Sequence, residues 1–597
     1  MLAGIGTREE KPSPIRQFGW HETGRHAVEI GDGTVRPFRG EAIPARAKIG
    51  WQPVPRLQQV HKAKAGRINR QGTGLVESGK KRRRFRVHEA AFFTTDPVAF
   101  ANISLLKAAI TDLKCRCILK KVLVIGAGLG GLAAAVRLAR NGFAVEVWEK
   151  NAGPGGKAKE LRLDGFRWDT GPSLLTMPYV LRELFAAANE RMEDHLDLVR
   201  LESACRYFWT DGTVFDENAA FWSQPETARF LEYARGIYEL SGEAYLTRPP
   251  GDFWRAFTPR NWPKLRHLGK VATTRSLARE VERRFTDPHL RQIFLRFATY
   301  NGSSPYLTPA TFNIIPYVEA EFGAWYVRGG MARIAQELAA LAERNDVAFR
   351  YNTTATGWNG REATAHDGSR TRADSLVCNG DALSAWNGFL SPLSSPARRE
   401  KMLQPPLSNS GFILFLGVRG RDSRLGHHNI FFSDDYPQEF AEIHEEKISP
   451  REPTIYISAS SRTDPDHAPE GHDNYFILVN APARDPRRPW SEAEGRDYRD
   501  LVVKRLGRFG FDDLAERIVT ERIFTPTDFA SRDLAHHGAL YGWASHSIRA
   551  SLFRPPLRAP GHSNLFFTGG TTHPGGGIPL VLLSGRMVAE LIQREAA

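Results

Sequence analysis

Cysteine is scarce: four among 597 residues, Cys115, Cys117, Cys205 and Cys378. Only the first two are close, and C-x-C without a second pair is not a zinc pattern. So few thiols give no disulfide framework, which points to a reducing, cytoplasmic setting. The chain also lacks any run of about eighteen apolar residues, the length a membrane-spanning helix needs. Met1–Ser13 lacks the apolar core of a secretory leader. No Ser-His-Asp or H-E-x-x-H arrangement is found, so no dedicated hydrolytic or metal machinery is expected.

Acidic residues fall short of basic ones, 67 against 81, a net charge of +14. The imbalance is local: residues 1–118 hold 22 Lys and Arg against 10 Asp and Glu. The run Lys80–Arg84 followed by Arg86 would suit nucleic acid. The segment around it has little periodicity and no repeated unit, however, and nucleic acid is not expected as a partner. The composition break predicts that residues 1–118 are either an unstructured extension or the product of a start set too early. The rest is globular in composition, with 41% hydrophobic and 25% charged residues overall.

What is present begins at Lys120. Val122–Ile125 reads as a buried parallel strand, followed by Gly126, Gly128, Gly130 and Gly131, a helical run Leu132–Arg140, and a second strand Ala144–Trp148 ending at Glu149 and Lys150. The spacing G-x-G-x-x-G between strand and helix is that of a dinucleotide site. One glycine makes the tight turn, the next lets the backbone approach a pyrophosphate, and the third lets helix and strand pack closely. The helix N-terminus offers free N–H groups to phosphate, and Glu149 can accept from ribose hydroxyls. The alternative is an ordinary βαβ turn without a ligand.

Two further signals follow. Gly155-Gly156-Lys157 comes right after the second strand, and Asp164–Ser173 reads DGFRWDTGPS, ending in Gly171, Pro172 and Ser173. At the other end, Asn564–Ser584 reads NLFFTGGTTHPGGGIPLVLLS. Gly569, Gly570 and Gly575–Gly577 lead into Ile578 and Pro579 at the start of a last helix. Proline costs nothing in a first helical turn. Five glycines in nine residues, Gly569–Gly577, imply close backbone approach to something.

With these blocks, together with FATYNGSSPYLTPATFNIIPYVE at Phe297–Glu319 and FGAWYVRGGMARI at Phe322–Ile334, the chain from Lys120 to Ala597 resembles the FAD-dependent carotenoid desaturases of the phytoene desaturase type. The middle block is closer to enzymes acting late on carotenoids, the hydroxycarotenoid 3,4-desaturases and related oxygenases. The resemblance implies an α/β fold. A Rossmann-like, two-dinucleotide-binding, amine-oxidase-like FAD domain would be assembled from residues 120–195, 320–385 and 535–597. Residues 196–319 would form a helical, membrane-facing insert, and residues 386–534 a substrate domain with strands. It further implies that Gly126, Gly128, Gly130, Gly131, Glu149, Lys150, Gly156, Lys157, Gly171, Pro172, Ser173, Val347, Gly569, Gly570, Gly577, Ile578 and Pro579 bind FAD. Lys157 stands where the family usually has arginine, so a planar fork becomes a point charge.

The implied reaction removes two hydrogens from adjacent carbons of a polyene, with hydride passing to the flavin and a proton lost beside it. The cofactor carries that chemistry, so no acid–base dyad is required. His573 and Arg328 are the catalytic candidates. His573 either places substrate or is a hydrogen-bonded loop histidine, and Arg328 either touches the flavin or is structural. The expected partners are a lipophilic carotenoid, a membrane surface and an electron acceptor, oxygen or quinone. Asp252–Lys270 interleaves Trp and Phe with Arg and Lys, as an interfacial segment does. The implied location is peripheral, on the inner face of the cell membrane. Three other readings stay open: a carotenoid oxygenase forming terminal aldehydes, an amine or porphyrinogen oxidase, and a non-enzymatic prenyl-binding module.

Overall fold

A computed structural model describes residues 120–249, 275–485 and 487–596, plus Ile30–Gly31 and Thr34–Val35, which pair as a short antiparallel ladder. The extension reading for residues 1–118 and the interfacial reading for Asp252–Lys270 lie outside the described residues, apart from that ladder. The fold below belongs to the unit Asp96–Ala597.

Its organising layer is a five-stranded parallel sheet. The elements that build it are β1 (Lys121–Ile125), α1 (Leu129–Arg140), β2 (Ala144–Trp148), α2 (Ala332–Glu343), β3 (Ala348–Arg350), β4 (Ser375–Cys378), β5 (Leu565–Phe567) and α3 (Ile578–Ala596). The strand order is β3-β2-β1-β4-β5, and every pairing is parallel. Strand positions buried on both faces must be apolar, and β1 reads VLVI after Lys121 for that reason.

Side chains alternate between the faces. Val122, Val124, Val377 and Phe566 face α1, α2 and α3. Leu123, Leu376 and Phe567 face the other way, onto Trp358, Ala363 and Trp386. That second face is covered by a three-stranded antiparallel sheet (355–372) and the helix Ala382–Asn387, rather than by helices alone. Val122, Val124 and Val147 are fully buried, each contributing about 1.5–3 kcal/mol of apolar burial.

A seven-stranded sheet forms the second layer system, in the order 518–524, 410–419, 472–481, 455–458, 428–431, 206–208, 214–216. Along Ser410–Arg419, Phe412, Leu414 and Leu416 pack toward the helix Glu492–Gly507, while Ile413 and Phe415 meet Phe166 and Trp168. Phe166 and Trp168 lie on a hairpin, Glu160–Leu163 with Phe166–Asp169, whose Asp164-Gly165 turn has both φ values positive, 48° and 81°. This hairpin joins the glycine-rich sheet region to the seven-stranded sheet.

Among the described residues, 196–319 are mostly helical, with the helices Pro225–Ile237, Leu277–Glu282 and Pro288–Arg296 among them, and also hold three short strands. Arg206–Phe208 joins the large sheet parallel to His428–Phe431, and Leu198–Arg200 pairs with Trp325–Val327. Three-residue strands carry no usable alternation, and the partners 428–431 and 325–327 are distant in sequence.

Candidate functional site

β1 ends in a turn at Gly126, where φ is +98° and the N–H donates to the Trp148 carbonyl at 2.7 Å. A β-carbon there would be strained. α1 starts at once, with Gly128 as its N-cap, no capping side chain and no acid in the first turn; Arg137 and Arg140 sit in its last turn. The N-terminal N–H groups and the positive end of the dipole are thus left for an anion.

The space beside these glycines is not empty. A β-carbon on Gly128 would sit 2.6 Å from Nδ2 of Asn379, and one on Gly130 would sit 2.7 Å from its Oδ1 and 3.1 Å from the Gly569 nitrogen. One on Gly131 would collide with the Gly126 carbonyl oxygen. Gly128, expected to let the backbone approach a pyrophosphate, also makes room for Asn379.

Glu149 closes β2 and is buried. Its Oε2 accepts from the Ala127 N–H at 2.8 Å and its Oε1 from the Asn151 N–H at 3.0 Å, so the acid is bound to the glycine loop itself. Lys150 Nζ donates to the Arg532 carbonyl at 2.5 Å. Gly155 N–H donates to the Ala127 carbonyl at 3.0 Å, which brings Gly156 against Gly128.

Lys157 reaches inward, Nζ to the Leu540 carbonyl at 2.5 Å. Burial pulls its ammonium below the usual lysine range, opposed chiefly by the Asp381 carboxylate. Asp381 caps the helix Ala382–Asn387 through Oδ1, 2.9 Å from the Ser384 N–H, while its Oδ2 has no hydrogen-bond partner. Burial raises its carboxyl above the ordinary aspartate value. A β-carbon on Gly171 would collide with the Lys157 carbonyl, so this motif is folded onto Gly155–Lys157. Beyond Pro172, Ser173 Oγ is 2.6 Å from the Tyr456 hydroxyl, which is 2.7 Å from Nδ1 of the buried, neutral His428. Val347 is buried in the helix-side core just before β3.

The C-terminal cluster meets the first across β4 and β5. Gly569 has φ of +105° and donates to Ser584 Oγ at 3.0 Å. Ala382 N–H donates to Thr571 Oγ1 at 3.0 Å. A β-carbon on Gly576 would strike the Tyr541 ring, Gly570 packs against Gly576, and Gly577 is exposed. Ile578 and Pro579 open α3 and are buried. α3 crosses α1 closely enough that a β-carbon on Gly585 would collide with the Gly130 carbonyl.

His573 is 1% exposed. Nε2 is 2.9 Å from the Arg248 carbonyl, so it donates there, and Nδ1 has no hydrogen-bond partner among the described residues. Burial pushes its pKa down to about 4. The Tyr245 ring meets it edge-on at 4.8 Å, and the Tyr245 hydroxyl donates to the Ser551 carbonyl at 2.6 Å. Arg554 is buried beside Gly575, donating to the Tyr541 carbonyl and Ser545 Oγ at 3.0 and 3.1 Å.

Arg328 does not join this group. Its side chain is 50% exposed and pairs with Asp197 at 2.9 Å, because it follows the strand Trp325–Val327 on the outward face. Its side chain forms a surface ion pair here, apart from the buried groups around His573. Asp169 likewise accepts from the Ala332 N–H at the start of α2 and pairs with Arg167.

Sequence reasoning missed Asn379, Asp381 and Arg554. Each is an unremarkable polar residue in a loop, and its position becomes informative only when two distant loops meet. An uncapped helix N-terminus, an acid ending the second strand, and the orphaned buried atoms Asp381 Oδ2 and His573 Nδ1 together suit a phosphate-linked dinucleotide with polar ring edges.

Residues 129–593 match the family of flavin containing amine oxidoreductases. The chain is 35% identical over 503 residues to a 1-hydroxycarotenoid 3,4-desaturase of Flavobacterium sp. (strain P99-3), covering 79% of this chain and 99% of that one. It is 34% identical over 490 residues to a 4,4'-diapolycopene oxygenase of Methylomonas sp, covering 79% and 98%. It is 35% identical over 495 residues to a zeta-carotene-forming phytoene desaturase of Myxococcus xanthus, covering 79% and 93%. Among solved structures, cyclohexylamine oxidase from Brevibacterium oxydans superposes with a TM-score of 0.51 at 15% identity, over 80% of this chain and 100% of that one. An oxidoreductase from Methanosarcina mazei does so with 0.51 at 16%, over 79% and 100%. The chain belongs to the flavin containing amine oxidoreductases, in the group that holds the carotenoid desaturases and oxygenases, and is an FAD-dependent oxidoreductase.

Proposed function

We propose that this chain desaturates an acyclic, late-stage carotenoid. The observation that carries the proposal is the match to a 1-hydroxycarotenoid 3,4-desaturase over 99% of that enzyme's length, with both glycine clusters present. Bound FAD would supply the hydride acceptor.

The chain's own residues would do the rest. Residues 120–195, 320–385 and 535–597 form the FAD-binding part, and residues 196–319 and 386–534 the substrate side. The uncapped start of α1, at Gly128, Gly130 and Gly131, takes the pyrophosphate, and Gly126 makes the turn that leads into it. Glu149 takes the ribose hydroxyls, exchanging its bond to Ala127 for them. Lys150, Gly156 and Lys157 line the second strand's exit, and Gly171, Pro172 and Ser173 the passage to the large sheet. Gly569, Gly570, Gly577, Ile578 and Pro579 border the ring end. Val347 packs behind the adenosine end. His573, held neutral, places the polyene there, and half-buried Tyr245 and Tyr541 with buried Ile578 keep water out. The polyene itself spreads the developing positive charge, so a strong base is not needed.

Carotenoids partition into lipid. Among the described residues no helix is long and apolar enough to cross a membrane. The exposed pair Leu552 and Phe553, 38% and 65% exposed, is a candidate surface contact on the cytoplasmic leaflet. Reoxidation would fall to oxygen or a quinone.

The test is co-expression with candidate acyclic carotenoids, followed by chromatography. The expected product is the substrate less two hydrogens, with FAD in one-to-one ratio, and unchanged substrates in the presence of bound FAD would overturn it. A second reading, terminal oxygenation, is favoured by the 34% identity to the 4,4'-diapolycopene oxygenase. Incorporation of labelled oxygen into an aldehyde product would select it.

A further inference from the structure

We infer that Asn379 is a positioning residue: its carboxamide sets the spacing between the two glycine loops that hold the dinucleotide. The residue follows β4 directly and lies half-buried between loops from opposite ends of the sequence. Nδ2 donates to the Gly126 carbonyl at 3.3 Å, on the first loop. Oδ1 accepts from Thr568 Oγ1 at 3.0 Å, at the start of the second. A carbonyl can only accept, so the amide nitrogen must face Gly126, and the orientation of the side chain follows from its partners.

The surrounding backbone is shaped to this one side chain. β-carbons on Gly128, Gly130, Gly131 and Gly569 would lie 2.6, 2.7, 3.0 and 3.2 Å from its Nδ2, Oδ1, Cβ and Oδ1. Backbone bonds lock the frame: Asn379 N–H to the Ile125 carbonyl at 2.8 Å, and Thr568 N–H to the Cys378 carbonyl at 2.9 Å. Aspartate has the shape but no donor for Gly126. Leucine has the volume but neither group. Glutamine is one methylene too long for a space this tight. Only asparagine supplies a donor to one loop and an acceptor to the other at this length.

This role rests on FAD binding at the two loops, and the test separates the two. FAD is titrated into apoprotein, with flavin fluorescence giving the dissociation constant and calorimetry giving the midpoint of the apo form. Asn379→Leu is expected to weaken FAD binding about ten-fold or more, from two lost hydrogen bonds. Thr568→Val, which removes only the hydroxyl, is expected to weaken it about three-fold. The double variant should bind no worse than Asn379→Leu, because both changes break one connection. FAD affinity within two-fold of wild type in Asn379→Leu, with only the apo midpoint lowered, would reduce Asn379 to a structural residue and overturn the proposal. Additive losses would overturn it as well. Should Asn379→Leu not fold, unchanged affinity in Thr568→Val would do the same. Wild-type protein that takes up no FAD would overturn the cofactor assignment itself, and this role with it.

Discussion

The two glycine clusters sit across one sheet and are built on different principles. Around Gly126–Gly131 the groups offered to a ligand are backbone N–H groups, with Glu149 and the loop bonded to each other. Around Gly569–Ile578 the glycines bring the chain close to side chains: His573 with a bare Nδ1, Arg554 and the rings of Tyr245 and Tyr541. A backbone site depends on shape, so it tolerates no added atoms. A side-chain site depends on protonation and placement, so it fails by degrees.

The largest effect should come at the backbone end. Gly128→Val puts a branched side chain where Asn379 lies, and the purified variant should contain no bound flavin by its absorbance ratio. A yellow, stoichiometric variant would show that the two ends are not different in kind. Next is the buried charge beside the first cluster. Lys157→Met leaves the buried Leu540 carbonyl without its donor, and denaturant unfolding should show a loss of about 1–3 kcal/mol together with weaker flavin retention.

The side-chain end should respond more gently. His573→Ala should keep FAD while turnover falls about ten-fold, a loss of about 1.4 kcal/mol in barrier terms. Its pH signature can be worked out. The folded value near 4 lies below the ordinary histidine value of about 6.5. Between these the unfolded chain binds the extra proton, so stability is full above about pH 6.5 and declines toward pH 4. In His573→Ala the fall in stability across that window should be smaller than in wild type by about 1–3 kcal/mol. Equal slopes would show that His573 is not held neutral. The smallest effect is expected for Arg328→Ala. An exposed pair contributes about 0–1 kcal/mol, and turnover and flavin content should stay at wild-type levels. A marked loss of turnover would return Arg328 to the site.

The β1-α1-β2 unit was readable because its signals are local. Ala144–Trp148 is a strand with the bounds its pattern predicts, and β1 differs by one residue. α1 starts at Leu129 rather than at Leu132, because Gly130 and Gly131 lie inside its first turn. Glycine is a poor helix former, and here contact with Asn379, Gly569 and α3 overrides propensity. Gly329 and Gly330 beside Arg328 suggest, as sequence, close approach to a ligand. Gly330 instead lies against the Arg167 guanidinium, leaving no room for a β-carbon. The strands within 196–319 were invisible because each is three residues long, and two of them, Leu198–Arg200 and Arg206–Phe208, take partners far along the chain.

The sequence by itself determined the dinucleotide fingerprint, the acid that ends β2, the second glycine cluster and the family resemblance. These are patterns of residue type at fixed short spacing, and backbone geometry follows from them directly. Only the tertiary structure decided that Asn379 fills the space between the two clusters, that Lys157 reaches the Leu540 carbonyl, that His573 is buried and neutral, and that Arg328 faces solvent. Burial, hydrogen-bond partners and local dielectric are set by segments hundreds of residues apart, and no local pattern encodes which of them will meet.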